Sequence, residues 1–265
     1  MEILILHRVP YNRIEYHRGI DHTLHNVTYF GKKEILATLP DTLRCRAVER
    51  PGIASAYDEA IHWLAQHPQH FDHIISMSEY ELLDAARLRD SLTIAGSSEN
   101  QVMLARNKIL MKKAVSDAGL SAPRYLSLWE FMASPERVTW AGKTVLKPHS
   151  GASSIDVMIF DTPQAAFMTL AEQKTGVSAL DNDSPDYANY EIEEFISGPV
   201  RHFDGLVQNG NVLAVTSSEY IGTCLDYMEQ GQPLGSIQIP TSDAIYHWIT
   251  QVLAAVSIRN GSFHL

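Results

Sequence analysis

The sequence is short of positive charge. Its 265 residues contain 21 lysines and arginines against 31 aspartates and glutamates, a formal net charge of -10. A chain with this balance has no general attraction for nucleic acid or for an anionic membrane surface, so neither is an expected partner. Any polyanionic ligand must instead meet a local cluster of cations.

Cysteine and long apolar runs are also scarce. Cys45 and Cys224 are the only cysteines, lie far apart and belong to no ligand motif, so they do not indicate a disulfide framework or a zinc site. No apolar run reaches membrane-spanning length and no signal-peptide pattern opens the sequence, so we expect a cytoplasmic protein. The turn after Leu6 lacks the glycine fingerprint that binds a pyrophosphate, which disfavours a plain dinucleotide-binding domain over residues 1–100.

Strand and helix patterns alternate through the first hundred residues, which predicts a parallel α/β unit. The predicted elements are strands at residues 3–6, 26–30 and 71–76 and helices at residues 54–66 and 79–90. Ser98 and Gln101 then fit a capping box that opens one long helix ending near Gly119. We therefore predict a domain boundary between residues 97 and 98.

The second half of the chain has the pattern of antiparallel sheets. Strands are predicted at residues 143–149 and 155–160, and three successive strands of one antiparallel sheet at residues 190–196, 200–207 and 211–219. The Asn209-Gly210 pair between the last two is the signal of a tight hairpin. A final helix is predicted over residues 241–256.

The most informative segment is a strand that ends in a lysine and a loop of small residues. Lys147 closes the strand, and the loop that follows consists of Ser150, Gly151, Ala152, Ser153 and Ser154. Glycine lets backbone amides approach a phosphate, and serine hydroxyls add donors. Taken alone, the segment fits a plain surface hairpin as well as a phosphate site.

A second basic segment lies in the predicted long helix. This segment contains Lys108, Lys112 and Lys113. We assign Lys112 and Lys113 to a solvated face of the helix. His62, His67, His70 and His73 cluster earlier in the chain without the spacing of a zinc site, so they too are predicted to be solvated.

The order of these motifs resembles the ATP-grasp superfamily, and within it the carboxylate–amine ligases that make peptides. The motifs are Asn107-Lys108, the Gly119-Leu120-x-x-Pro123 exit, Lys147-Pro148, the small-residue loop and the acidic strand of residues 191–198. The resemblance implies an N-terminal parallel α/β (pre-ATP-grasp) domain at residues 1–97. It also implies an incomplete ATP-grasp domain with antiparallel sheets at residues 98–265.

By this resemblance, ATP is the nucleotide and small-molecule carboxylate and amine compounds are the substrates. Lys108 and Lys147 would contact the ATP phosphates, and the loop at residues 150–154 would close over them. The hinge that accepts adenine would consist of Glu193, Glu194, Phe195 and Ile196, with His202 nearby. The resemblance assigns no catalytic residue within the chain.

Two positions depart from the family pattern. Val200 stands where family members carry an acidic residue for the ribose hydroxyls. The glutamate that would bind Mg²⁺ is expected directly after Leu265, so no metal ligand is predicted within the chain, and the C-terminal metal-binding segment is expected to be missing. The missing sheet edge favours a homo-oligomer or a complementing C-terminal chain.

Two alternatives stay open at this point. The chain is either an active ligase or a catalytically inactive nucleotide-binding remnant or subunit completed by another chain. A further hypothesis among enzymes is an ATP-grasp protein of the carboxylase type or of the purine pathway. In that case bicarbonate or a nucleotide intermediate, and not an amino acid, would be the substrate that stimulates ATP turnover.

Overall fold

A computed structural model describes the whole chain apart from the side chains of residues 226 and 229. The chain divides into two compact units, residues 1–103 and residues 104–265. The boundary expected at residues 97 and 98 stays a prediction. Ser98 and Gln101 do form the reciprocal contacts of a capping box, because the Ser98 amide donates to Oε1 of Gln101 at 3.0 Å and the Gln101 amide donates to Oγ of Ser98 at 3.4 Å.

The first unit is a parallel sheet with helices, as its alternating pattern predicts. The strands follow the order β3-β2-β1-β4 and all pair in parallel. They are β1 (Glu2–His7), β2 (Asn26–Gly31), β3 (Arg46–Glu49) and β4 (His73–Ser76), and the helices are α1 (Tyr11–Ile14), α2 (Lys33–Leu36), α3 (Ala56–Gln66) and α4 (Leu82–Leu92).

Both faces of this sheet are buried, which explains the continuous apolar run of β1. Leu4 and Leu6 pack on one face against residues of α3 and α4. Ile3 and Ile5 point to the other face and pack against a cluster that includes Tyr29. Successive side chains of a strand alternate between faces, so a single run of branched residues fills two cores.

The predicted long helix is interrupted at Asn107. Helix α5 (Glu99–Arg106) ends there and α6 (Lys108–Asp117) begins, and the Asn107 side chain accepts hydrogen bonds from the Ile109 amide at 3.0 Å and the Leu110 amide at 3.1 Å. Asparagine competes for backbone donors in this way and favours the first position of a helix over its interior. The single helix expected from residue 98 to residue 119 was therefore wrong.

The second unit contains two antiparallel four-stranded sheets. The first sheet, in the order β5-β8-β6-β7, consists of β5 (Tyr125–Ser127), β6 (Thr144–Pro148), β7 (Met158–Phe160) and β8 (Tyr190–Glu194). The second, in the order β11-β10-β9-β12, consists of β9 (Arg201–Gln208), β10 (Asn211–Ile221), β11 (Gly235–Ile239) and β12 (Gly261–His264). The remaining helices are α7 (Leu128–Ala133), α8 (Pro163–Ala171), α9 (Cys224–Gln230) and α10 (Asp243–Ala255).

Two expectations about these strands need correction. The strand at residues 190–196 does not join the next two in one sheet, because β8 pairs with β5 and β6 while β9 pairs with β10 and β12. The strand expected from residue 155 begins only at Met158, since Ser153, Ser154 and Asp156 have left-handed φ angles of 57°, 56° and 57° that keep the backbone out of the sheet.

One smaller expectation holds. The hairpin between β9 and β10 turns through Asn209 and Gly210, which both have positive φ angles of 51° and 81°, as a tight hairpin of mirror-image turn type requires. Cys45 and Cys224 are both free thiols. Among the described residues, no helix is both long and apolar enough to cross a membrane.

Candidate functional site

One face of the first sheet in the second unit carries an unusual concentration of charge. The other face is apolar: Leu146 of β6 and Ile192 of β8 lie in the buried core of this sheet. Strand alternation therefore turns Lys147, Glu191 and Glu193 to the opposite face. In the β6–β8 register Lys147 stands opposite Glu191, which brings a lysine and two glutamates together.

Helix α6 adds a second lysine to this face. Nζ of Lys112 donates to Oε1 of Glu191 at 2.8 Å and to Oε2 of Glu193, while Nζ of Lys147 donates to Oε1 of Glu193 and lies 4.0 Å from Glu191. Lys112 also lies over the Tyr125 ring, 4.6 Å from its centroid. Lys112, Lys147, Glu191 and Glu193 form what we call the charge cluster.

The charge cluster is largely removed from water. Glu191 is fully buried, Lys112 is 5% exposed and Glu193 is 7% exposed. Burial raises the pKa of the Glu191 carboxyl, and the neighbouring Lys112 opposes that rise. Oε2 of Glu191 has no hydrogen-bond partner among the described residues. Buried ions of this kind persist only when paired, so each member of the cluster depends on its partners.

The assignment of Lys112 to a solvated helix face was wrong. The hydrophobic pattern of α6 predicts that its lysines lie at the surface. Lys112 is buried instead because its partners Glu191 and Glu193 lie on β8, 79 and 81 residues away in sequence. Lys113 does lie on the solvated face, where it pairs with Asp117 at 2.7 Å. The four-residue spacing of Lys108 and Lys112, which places both on one side of a helix, is the signal that could have identified Lys112.

The loop between β6 and β7 is held by cations from α5 and α6. Nζ of Lys108 donates to the Gly151 carbonyl at 2.9 Å and to the His149 carbonyl at 3.4 Å, and Nη2 of the buried Arg106 donates to the Ser150 carbonyl at 2.5 Å. Farther along the loop, the Tyr190 hydroxyl donates to Asp156 at 3.0 Å. The loop is thus anchored at both ends, while Ser153 is exposed between the anchors.

Two residues of the loop are constrained by their surroundings. A Cβ atom on Gly151 would lie 2.4 Å from Cγ of Pro148, so only glycine fits there. Burial lowers the pKa of His149, and its Nε2 atom is buried without a hydrogen-bond partner among the described residues. An unpartnered buried donor or acceptor beside a glycine loop is a feature that a polar ligand can satisfy.

Comparisons with known proteins agree with this architecture. No protein-family model matches the chain. The L-arginine-specific L-amino acid ligase of Bacillus subtilis is 27% identical over 205 residues, which are 74% of this chain and 47% of that protein. The chain spans about half the length of this curated relative.

Solved structures of several ligases share the fold. An L-amino acid ligase from Bacillus licheniformis has a TM-score of 0.68 at 19% identity, over 99% of this chain and 61% of that chain. The D-alanine–D-alanine ligase from Bacillus anthracis has a TM-score of 0.61 at 15% identity, over 100% and 81% of the two chains. N5-carboxyaminoimidazole synthetase from Staphylococcus aureus, solved with ADP, has a TM-score of 0.66 at 12% identity, over 99% and 65%.

The chain has the ATP-grasp fold. Within it, the structure brings together several of the residues selected from the sequence. Lys108 contacts the loop at residues 150–154, and Lys147 contacts Glu193 on the same face of the sheet. Arg106, Lys112, His149 and Glu191 belong to the same region but were not selected.

The other hinge residues do not belong to the charge cluster. Glu194 follows Glu193 on the strand and pairs with Arg124 at 2.6 Å, and this contact together with the Arg124 amide lowers the pKa of Glu194. Phe195 is 39% exposed and its ring lies 5.6 Å from Nζ of Lys143, and Ile196 is 62% exposed. His202 lies on the second sheet, where it pairs with Asp204 at 2.7 Å.

The described residues include one group of three ligand-type side chains outside the charge cluster. Among them, the one group that could hold a metal ion consists of His202, Asp204 and His264. Mg²⁺ takes oxygen ligands, and two imidazoles with one carboxylate suit other ions. The structural relatives include a biotin carboxylase domain from Hydrogenobacter thermophilus that was solved with MgADP.

Proposed function

We propose that this chain binds ATP against the charge cluster and the loop at residues 150–154, as the nucleotide-binding part of a carboxylate–amine ligase. The observation that supports this most strongly is the double pairing of Glu193, which accepts a hydrogen bond from Lys147 on one oxygen and from Lys112 on the other. A phosphate can take Lys147 away from Glu193 while Lys112 keeps the carboxylate paired.

The freed oxygen of Glu193 then has a new role. A carboxylate oxygen accepts a hydrogen bond, and the exocyclic amino group of adenine donates one. Lys147, released from Glu193, and Lys108, already beside the loop, place positive charge near the phosphates. Phe195 and Ile196, both exposed, offer apolar cover for the base.

The reaction that we propose is amide formation through an acyl phosphate. An oxygen of the substrate carboxylate attacks the γ-phosphorus and ADP leaves, which gives an acyl phosphate. The amine nitrogen then attacks the acyl carbon, phosphate leaves and the nitrogen loses a proton to give an amide. Mg²⁺, when present in such enzymes, neutralises charge on the phosphates.

The substrates that we propose are amino acids, acting in the cytoplasm where ATP is supplied. The relative with 27% identity is named for ligation of L-amino acids with L-arginine specificity, and the Bacillus licheniformis structure is that of an L-amino acid ligase. A nucleotide-binding subunit completed by another chain is the second candidate, because the one described group of three ligand-type side chains lies outside the charge cluster.

A turnover assay tests this proposal. We expect ADP release from ATP and Mg²⁺ to be stimulated by pooled L-amino acids but not by bicarbonate, and to be lost in Lys147→Met. Lys113→Met, on the solvated side of α6, is the matched control and should keep full activity.

Each other result has a defined meaning. If bicarbonate alone stimulates ADP release, the chain is an ATP-grasp protein of the carboxylase type and not an amino acid ligase. ATP binding without any ADP release would reject the ligase in favour of the subunit completed by another chain. The absence of ATP binding by a folded chain would contradict both.

A further inference from the structure

The second sheet of the second unit carries three side chains of ligand type on one face. His202 and Asp204 are two residues apart on β9 and therefore share a face. His264 of β12 stands directly opposite Asp204 in the strand register. Phe203 and Phe263, the neighbours in sequence, point to the other face and are buried in the apolar core beneath it.

The three side chains converge on one point. Nδ1 of His202 lies 2.7 Å from Oδ2 of Asp204, and Nδ1 of His264 lies 2.7 Å from Oδ1 of the same carboxylate. One ligand atom from each residue lies within 4.8 Å of the others. Asp204 thus offers a separate oxygen to each imidazole, and the two rings approach it from neighbouring positions.

The His202 ring is fixed by contacts on its far side. Its Nε2 atom lies 2.8 Å from Oγ of Ser236, and its ring centroid lies 4.6 Å from that of Tyr220. In the tautomer that carries its proton on Nε2, His202 donates to Ser236 and turns the lone pair of Nδ1 toward Asp204. Partners that orient the second ring nitrogen in this way are typical of histidines that ligate a metal.

The site is open on one side. The His202 side chain is only 14% exposed, whereas those of Asp204 and His264 are 49% and 62% exposed. An ion held by the two Nδ1 atoms and one carboxylate oxygen would therefore keep positions for water or for an exogenous ligand.

We propose that His202, Asp204 and His264 form a binding site for a divalent transition-metal ion of the Zn²⁺, Co²⁺ or Ni²⁺ class. Two imidazole nitrogens and one carboxylate oxygen suit these ions and discriminate against Mg²⁺. The ion replaces the proton on each Nδ1 that faces Asp204, so binding releases protons or moves them to Nε2. This site is distinct from the charge cluster, since the two groups share no residue.

Titration of the untagged chain with Co²⁺, followed by its visible absorption, tests the proposal without any nucleotide. We expect one ion per chain, competition by Zn²⁺ and none by Mg²⁺. Asp204→Asn and His264→Gln should each weaken binding by about tenfold or more. The matched control removes exposed histidines of the first unit, His67→Ala with His70→Ala, and should leave the titration unchanged.

Several results would overturn this assignment. They are the absence of saturable Co²⁺ binding, loss of binding in the control variant, and unchanged binding in both site variants. A circular-dichroism melt shows whether a site variant is folded, and Asp204→Asn keeps the shape of the side chain if His264→Gln fails to fold. Failure of ATP to bind has no bearing on this result, because the readout is the absorption of the bound Co²⁺.

Discussion

Lys112 is the residue on which the charge cluster most depends. It is buried and donates to both Glu191 and Glu193, and Glu191 is itself fully buried. Removing one partner of a buried ion pair costs more than the pair contributes, because it leaves an uncompensated charge. The expected result of Lys112→Met is therefore a loss of about 3 kcal/mol in the free energy of unfolding, measured by urea denaturation.

Two further variants make that prediction specific. Lys113→Met removes an exposed lysine one position along the same helix and should change the stability by less than about 0.5 kcal/mol. Adding Glu191→Leu to Lys112→Met removes the stranded carboxylate, so the double variant should recover much of the loss. Equal stability of Lys112→Met and the original chain would show that the cluster is not buried as described.

At the residue scale, sequence and structure agree best where a motif has a chemical signature. Lys147 and Glu193 were selected as parts of one site, and they are in contact. Lys112 and Glu191 were missed because their pairing joins a helix to a strand 79 residues later. Neither helical periodicity nor strand alternation contains information about such a distant partner.

At the scale of elements, the carboxylate of Glu59 in α3 holds the preceding loop against the start of that helix. Glu59 accepts hydrogen bonds from the amides of Gly52, Ile53 and Ala54, and it pairs with Arg50 at 2.7 Å. Burial alone would raise the pKa of Glu59, but these bonds outweigh it and lower the pKa to about 2 from its ordinary value of 4.5.

The lowered pKa of Glu59 predicts an acid-sensitive contribution to stability. The unfolded chain takes up the proton first as the pH falls, so the contribution is complete above about pH 4.5 and is lost as the pH falls toward 2. Denaturation midpoints measured from pH 6 to pH 2 should therefore converge for the original chain and Glu59→Gln at the acid end. A constant difference between them across this range would contradict the assignment.

Strands with a continuous apolar run were located from the sequence, whereas several short strands without one were not. The runs of β1 and β2 were located, whereas β3, β5, β11 and β12, with three to five residues each, were not. Strand β8 was assigned to the wrong sheet because successive strands usually pair. Residues 197–200, which lie outside any strand and are exposed, carry the chain from one sheet to the other.

At the scale of the whole molecule, the order of motifs was more informative than any single one. A lysine beside a small-residue loop is common and predicts little by itself. The order of a capped helix, a strand that ends in a lysine, a small-residue loop and an acidic strand was enough to predict the ATP-grasp fold. The structural comparisons confirm that fold. The His202, Asp204 and His264 group could not be predicted, because it forms only when β12 pairs with β9 across 60 residues.

The most direct test of the central claim is a calorimetric titration of ATP into the purified chain. The account predicts saturable binding that Lys147→Met weakens by about 10- to 100-fold, the usual contribution of a hydrogen bond to a charged group, while Lys113→Met binds as the original chain does. GTP should bind more weakly than ATP, because its base presents an acceptor where adenine donates to Glu193. ATP binding of equal affinity in Lys147→Met, or no binding by the folded original chain, would contradict the account.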